Sequence, residues 1–160
     1  MNKTFQIEIQ ALRAFAVISV LLFHLGIKFF EGGFLGVDIF FVISGYLITS
    51  IILQERNFDL YKFYLKRLRR LLPIILFTVL ISIVVGLFIL SPIHLNRLIT
   101  SSLFSIFGTS NFFFFSEVGY FDHEKLFKPL LHTWSLAVEI QFYLIWPLII
   151  LLTKNLFKSK

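Results

Sequence analysis

The sequence has 160 residues, of which 58% are hydrophobic and only 15% are charged, and its mean hydropathy is +0.87. This composition excludes an ordinary soluble domain and indicates an integral membrane protein. The absence of cysteine excludes disulfides and thiolate metal sites, and the four histidines lack the spacing of a metal-binding motif, so we expect no metal. The net charge of +6 comes from Lys and Arg residues beside apolar stretches, which indicates membrane topology rather than nucleic-acid binding.

Five apolar stretches approach the roughly 20 residues that a helix needs to cross a bilayer. They cover residues 11–29, 34–53, 72–90, 98–115 and 134–152. The sequence therefore predicts an all-α, polytopic helical membrane protein with about five transmembrane helices in a single domain. The N-terminal stretch has no cleavage site of small residues after it, so we expect the first span to be retained.

The basic segment 54–72 between the second and third spans sets the predicted orientation. The positive-inside bias places this loop in the cytoplasm, and the N-terminus, two spans earlier, is then cytoplasmic as well. Five simple spans would leave Lys154, Lys158 and Lys160 outside, against the same bias. Either one of the last spans is re-entrant, or the charges of a short tail do not govern orientation.

Arg13 and His24 lie within the first apolar stretch, eleven residues apart. An ionisable side chain inside a membrane costs a few kcal/mol, so it usually faces a cavity or a partner. Eleven helical residues turn through about 1100° and rise about 16 Å, which puts both side chains on one face within about 20°. The pattern predicts a polar path along this helix.

Asp38 opens the second span, close in sequence to the end of the first helix. Its carboxylate could hydrogen-bond His24 and fix the tautomer of the imidazole. The alternative is an ordinary acidic residue at a helix N-terminus, which the helix dipole favours.

Glu139 is the acidic residue of the last apolar stretch. A buried carboxylate needs a cation or a hydrogen bond, and Arg13 is an available partner across helices. The alternative is an interhelical hydrogen bond with a structural role only. Trp134, Tyr143 and Trp146 are interpreted as interfacial aromatic residues.

The predicted cytoplasmic loop ends in a cluster of four cations, Lys66, Arg67, Arg69 and Arg70. Guanidinium groups bind phosphoryl oxygens in bidentate fashion, and lysine adds a point charge. The cluster is thus either a phosphate site or an anchor for membrane lipid headgroups.

Four segments together resemble the N-terminal part of the acyltransferase-3 family, integral membrane O-acyltransferases that modify bacterial surface polysaccharides. They are Arg13 with ten residues before His24, the run GVDIFFVISGYLI from Gly36, the run FYLKRLRRLLP from Phe63, and HTWSLAVEIQFYLIWP from His132. The segments occur in the order typical of the family. One departure is Ile140, which stands where many members have a second glutamate.

The resemblance implies an acyl donor, usually acetyl-coenzyme A, on the cytoplasmic side and an acceptor hydroxyl of a glycan or lipid-linked sugar on the far side. It implies no permanently bound cofactor. His24 resembles the family's essential histidine with Arg13 as its motif partner, and Glu139 resembles the acid of the last motif. Arg67 and Arg70 resemble the basic pair of the loop, flanked here by Lys66 and Arg69.

Members of the family carry about ten spans of bilayer length, so the chain is expected to be half of such a domain, with a C-terminal half as a missing partner. His24 would act either as a general base or as a covalent acyl relay. Two other classes remain open from the sequence. One is a proton-coupled transporter or export subunit, and the other is a catalytically incomplete remnant or subunit.

Overall fold

The computed structural model describes residues 3–55, 57–117 and 128–158, and these ranges contain helices and connections without a β-strand. The elements are α1 (Lys3–His24), a 3₁₀ segment (Lys28–Leu35), α2 (Gly36–Gln54), α3 (Leu60–Ile89), α4 (Pro92–Ile106), α5 (Ser110–Ser116) and α6 (Thr133–Lys158). The predicted all-α class is confirmed. The chain divides into two compact units, residues 1–56 and 57–160.

Four stretches in the described part of the chain are long and apolar enough to cross a membrane. They are Ile7–His24, Lys28–Gln54, Leu60–Ile89 and Thr133–Lys154. These four correspond to the first, second, third and fifth predicted spans. Their outward surfaces carry many exposed large apolar side chains, as helices in contact with lipid do.

The predicted span at residues 98–115 is not one continuous helix. Helix α4 ends at Ile106 and α5 begins at Ser110, with Gly108 between them at a φ of +67°. The 15 residues of α4 extend over about 22 Å, less than the roughly 30 Å of a hydrocarbon core. The positive φ of Gly108 reverses the chain, and this geometry agrees with the re-entrant alternative.

The two ends of this α4–α5 hairpin lie side by side. His94 and Arg97 near the start of α4 line the same small cavity as Glu117, which directly follows α5. Glu117 also forms a half-buried ion pair with Lys128, at 3.0 Å between Nζ and Oε2. The hairpin therefore returns to the level at which it began.

The turn between α4 and α5 is held by polar side chains from α5 and α6. The Gln141 amide donates to the Gly108 carbonyl at 3.0 Å and to Asn111 Oδ1 at 2.9 Å, and Asn111 donates back to Gln141 at 3.2 Å. Ser105 shares a hydrogen bond with the Thr133 hydroxyl at 2.9 Å, and Ser110 donates to the Thr133 carbonyl at 2.9 Å. Non-helical backbone at membrane depth is tolerated where protein groups satisfy it, and these contacts do so.

Gly108→Ala is expected to destabilise the second unit more than Gly26→Ala destabilises the first. Both glycines have positive φ, +67° and +72°, which costs an alanine roughly 1–2 kcal/mol. A Cβ at Gly108 would also lie 3.0 Å from Ile140 Cγ2, whereas a Cβ at Gly26 would meet no atom within 4 Å. Thermal unfolding in detergent measures the stability of both variants. Equal losses of stability would contradict the steric contribution of Ile140.

The first unit depends on close contact between α1 and the segment that begins α2. A Cβ at Gly36 would lie 2.5 Å from the Ala16 carbonyl oxygen and 2.7 Å from Val20 Cγ2. Ala16 is fully buried, and Ser19, one turn later, is nearly so. Small residues let two membrane helices approach closely, and this pair uses them on both sides.

The core of the second unit lies between α3, α4, α5 and the segment before α6. Its buried members are Ile75, Val79, Leu98, Phe114 and Leu130. Pro73 lies inside α3, yet the helix continues to Ile89. The core thus packs Leu98 of α4 against Ile75 and Val79 of α3.

The basic segment 54–72, predicted to lie in the cytoplasm between the second and third spans, is helical from Leu60 onward. Asp59 is the N-cap of α3, and its carboxylate accepts from the Lys62 backbone N–H at 3.0 Å. The Leu, Lys and Arg residues that follow have good helix propensity. The basic cluster is therefore carried on a rigid helix.

The Asp59 cap is expected to make α3 lose stability at acid pH. The hydrogen bond from the Lys62 backbone holds the pKa of the Asp59 carboxyl below its ordinary value of 3.8. A carboxyl with a lowered folded-state pKa stabilises the fold above its unfolded pKa, and this stabilisation is lost as the pH falls through the folded pKa. We expect the thermal stability of wild type relative to Asp59→Asn to decline below about pH 4, because asparagine caps without titrating. A constant difference down to pH 2 would contradict the cap.

Candidate functional site

His24 is the last residue of α1, and its side chain is exposed. Its Nδ1 lies 2.8 Å from the Val20 carbonyl oxygen, one turn earlier. A carbonyl can only accept, so Nδ1 carries the proton and Nε2 of the neutral ring carries the lone pair. The backbone of α1 thus selects one tautomer of the neutral ring. The Phe23 ring meets the imidazole edge-on at 5.3 Å between centroids.

Arg13 lies on the same uninterrupted helix as His24. Because α1 is continuous, the spacing keeps the two side chains within about 20° of each other. Arg13 is half-buried, and the described residues give its buried Nε no hydrogen-bond partner. A buried donor without a partner costs about 1–3 kcal/mol.

Asp38 does not fix the His24 tautomer as predicted. The described residues include no hydrogen bond or ion pair between the two, and Nδ1 is already bonded to Val20. Asp38 is exposed in the first turn of α2. Its position agrees with the alternative interpretation, an acidic residue at a helix N-terminus.

Arg67 differs from the other three cations of the basic cluster. It is half-buried, whereas Lys66, Arg69 and Arg70 are exposed on α3. The Arg67 guanidinium carbon lies 3.5 Å from the Phe63 ring centroid and 5.0 Å from that of Tyr143. Cation–π contact of this kind strengthens where water is displaced.

Glu139 lies on α6, one turn before Tyr143. The Tyr143 hydroxyl donates a hydrogen bond to the Glu139 carboxylate. The Tyr143 ring also lies beside Arg67, with 5.0 Å between its centroid and the guanidinium carbon. The structure therefore brings Arg67 and Glu139, two predicted site residues, into one cluster.

A groove of about 440 Å³ adjoins this cluster. Its walls are almost entirely apolar, with Leu72 on one side and Ile140 on the other, and Gly108 of the α4–α5 turn also lines it. Arg67 and Tyr64 line the groove as well, and the Tyr64 hydroxyl donates to the Leu144 carbonyl at 2.8 Å. The volume lies in the range of small-ligand sites.

Tyr143, Phe63 and Gln141 were not among the predicted site residues. Tyr143 was interpreted as an interfacial aromatic residue, but it bonds Glu139 and lies beside Arg67. Its spacing of four residues from Glu139 was the available signal, because such pairs face each other on a helix. The predicted pairing of Arg13 with Glu139 would join the two units and stays a prediction.

The fold and these polar groups define a polytopic helical membrane protein with ionisable side chains placed in its helices. Residues 6–160 match the acyltransferase domain family, and the chain belongs to that family. The resemblance inferred from the sequence is confirmed.

The chain is similar to the O-acetyltransferase OatA of Staphylococcus aureus, strain NCTC 8325 / PS 47, with 42% identity over 157 residues that cover 95% of this chain and 26% of the relative. It is also similar to the peptidoglycan O-acetyltransferase OatA of Listeria monocytogenes, with 44% identity over 149 residues, 90% of this chain and 24% of that protein. The chain thus spans about a quarter of the length of these curated relatives. No solved structure matches it.

Proposed function

We propose that the chain is the N-terminal part of a membrane O-acyltransferase that moves an acyl group, acetyl in the simplest case, from acyl-coenzyme A to a hydroxyl of peptidoglycan or its lipid-linked precursor. The observation that carries this proposal is the family match over residues 6–160. The names of the staphylococcal and listerial relatives support acetyl as the acyl group, and the listerial name supports peptidoglycan as the acceptor.

His24 is the base in this reaction. Nε2 takes the proton of the acceptor hydroxyl while the hydroxyl oxygen attacks the thioester carbonyl. The carbon–sulfur bond then breaks, and the coenzyme A thiolate leaves with the proton that His24 returns. In the relay variant, Nε2 attacks the thioester carbonyl, and coenzyme A leaves as its thiolate. The acceptor hydroxyl then attacks the acyl-imidazole, the bond to Nε2 breaks, and the thiolate takes the hydroxyl proton. The Val20 bond supports both variants, because it leaves Nε2 with the lone pair.

Arg67 is the donor-binding residue, with Lys66, Arg69 and Arg70 as additional cations. A guanidinium fork matches the oxygens of a phosphoryl group, and coenzyme A carries several such groups. The contacts of the Arg67 guanidinium with the Phe63 and Tyr143 rings support this role. A guanidinium that stacks on a ring keeps its in-plane N–H groups available for phosphoryl oxygens. In this proposal Arg13, which shares a face of α1 with His24, guides the pantetheine arm of the donor toward His24.

The protein lies in the plasma membrane with its N-terminus and the start of α3 in the cytoplasm. If α4 and α5 re-enter the membrane from the outer side, α6 returns to the cytoplasm and brings Lys154 and Lys158 with it. That arrangement satisfies the positive-inside bias, which five simple spans do not. The broken helix at Gly108 supports this orientation.

The test is acyl transfer from radiolabelled acetyl-coenzyme A to purified peptidoglycan by the chain in proteoliposomes. Because the chain spans about a quarter of its relatives, the assay is run with the chain alone and with the remaining part of the staphylococcal relative co-produced. Formation of an alkali-labile acetyl ester, with release of coenzyme A, is the expected result. A chain that neither binds coenzyme A nor supports ester formation in either setting would overturn the proposal.

A further inference from the structure

Tyr143 is the residue that joins Arg67 of α3 to Glu139 of α6. Its hydroxyl donates to the Glu139 carboxylate, and its ring centroid lies 5.0 Å from the Arg67 guanidinium carbon. Nothing in the proposed reaction gives this side chain a task. Its position between Arg67 and Glu139 nevertheless restricts the side-chain conformations of both residues.

The Tyr143 ring is attached to α6 at its Cβ, and its hydroxyl is bonded to Glu139 on the same helix. Because Glu139 lies four residues earlier, both ends of the side chain are held by one rigid helix. The fixed ring then offers one aromatic surface to Arg67, and Phe63, four residues before Arg67 on α3, offers a second at 3.5 Å. Arg67 is thus the cation that the fold immobilises, while Arg69 and Arg70 remain exposed.

Immobilisation matters because a free arginine side chain loses several rotamers when it binds a ligand. Stacking uses the flat face of the guanidinium and leaves its in-plane N–H groups for another acceptor. An arginine already restricted in this way loses less conformational entropy on binding a phosphoryl group.

We propose that Tyr143 is a positioning residue that holds the Arg67 guanidinium for a phosphoryl group of the acyl donor, with Glu139 as its tether. This inference rests on the proposed function for the identity of the ligand. It gives Tyr143 a role in the affinity for the acyl donor, whereas the sequence suggested an interfacial aromatic residue.

The experiment compares Tyr143→Leu, which removes the ring, with Tyr143→Phe, which keeps the ring and removes the tether. The dissociation constant for coenzyme A is measured by equilibrium dialysis on the full chain in detergent. We expect Tyr143→Leu to weaken binding about tenfold and Tyr143→Phe by about two- to threefold, since the ring supplies most of the contact. Tyr64→Phe is the matched control, because it also loses a phenol hydroxyl at the same groove but leaves the Arg67 rings in place.

A second readout follows Arg67 without any ligand. The rate at which butanedione modifies Arg67, measured by mass spectrometry, should rise severalfold in Tyr143→Leu, while the rate at Arg70 should not change. An unchanged Arg67 rate, or coenzyme A binding as weak in Tyr64→Phe as in Tyr143→Leu, would overturn the role of Tyr143 alone. A wild-type chain without affinity for coenzyme A would instead overturn the donor function and the phosphoryl ligand assigned here.

Discussion

Replacing His24 with alanine is expected to lower the rate of acyl transfer by about 10²–10⁴-fold, the contribution typical of a positioned general base. The substitution removes Nε2, the ring nitrogen that the Val20 hydrogen bond leaves unprotonated. Binding of coenzyme A should change less than twofold, because the proposal assigns that binding to Arg67 and its neighbours. The measurement is ester formation on peptidoglycan under saturating acetyl-coenzyme A, in parallel with equilibrium binding.

His94→Ala is the matched control for this experiment. His94 is a half-buried histidine at the start of α4, and it lines the small cavity beside Glu117 rather than any part of the proposed site. Its removal should leave transfer within about twofold of wild type, as for most substitutions away from a site. Undiminished transfer by His24→Ala would refute the base and the relay alike. An acyl-histidine trapped on wild type and absent from His24→Ala would select the relay.

The geometry of α1 was predictable from the sequence because it depends only on helical periodicity. Arg13 and His24 share a face in any uninterrupted helix, and α1 is uninterrupted. One of the two interpretations of Asp38 made its carboxylate the group that fixes the His24 tautomer. Asp38 is near in sequence, but the carbonyl of Val20 is nearer in space, because it lies one turn back on the same helix.

Other features depend on tertiary packing and therefore escaped prediction. The sequence places four cations within residues 66–70. The family resemblance selects Arg67 and Arg70 from them, but nothing in the sequence separates these two. In the structure, Arg67 differs from Arg70 because its guanidinium contacts two rings, Phe63 on α3 and Tyr143 on α6. The break at Gly108 was hidden in an apolar window of suitable length. The serines of that window were the signal, since Ser105 and Ser110 form hydrogen bonds to Thr133 that a lipid-facing helix would not need.

The second large effect is expected from Gly36→Ala, which should destabilise the first unit by about 1–3 kcal/mol, as overpacked contacts do. The added Cβ would lie 2.5 Å from the Ala16 carbonyl oxygen. A backbone atom cannot move away by changing a rotamer, so α1 and α2 must separate. Gly32→Ala is the control, because a Cβ there meets no atom within 4 Å. Both variants are compared by thermal unfolding in detergent.

The same substitution should also reduce acyl transfer at temperatures where the protein remains folded. The Cβ at residue 36 would lie 2.7 Å from Val20 Cγ2, and Val20 provides the carbonyl that orients His24. A shift of Val20 therefore displaces the imidazole without altering any reacting group. Gly36, the first residue of the GVDIFF run, then affects acyl transfer through helix packing. If the Gly36→Ala and Gly32→Ala variants have the same unfolding temperature and the same rate of acyl transfer, the contact between Gly36 and α1 does not position His24.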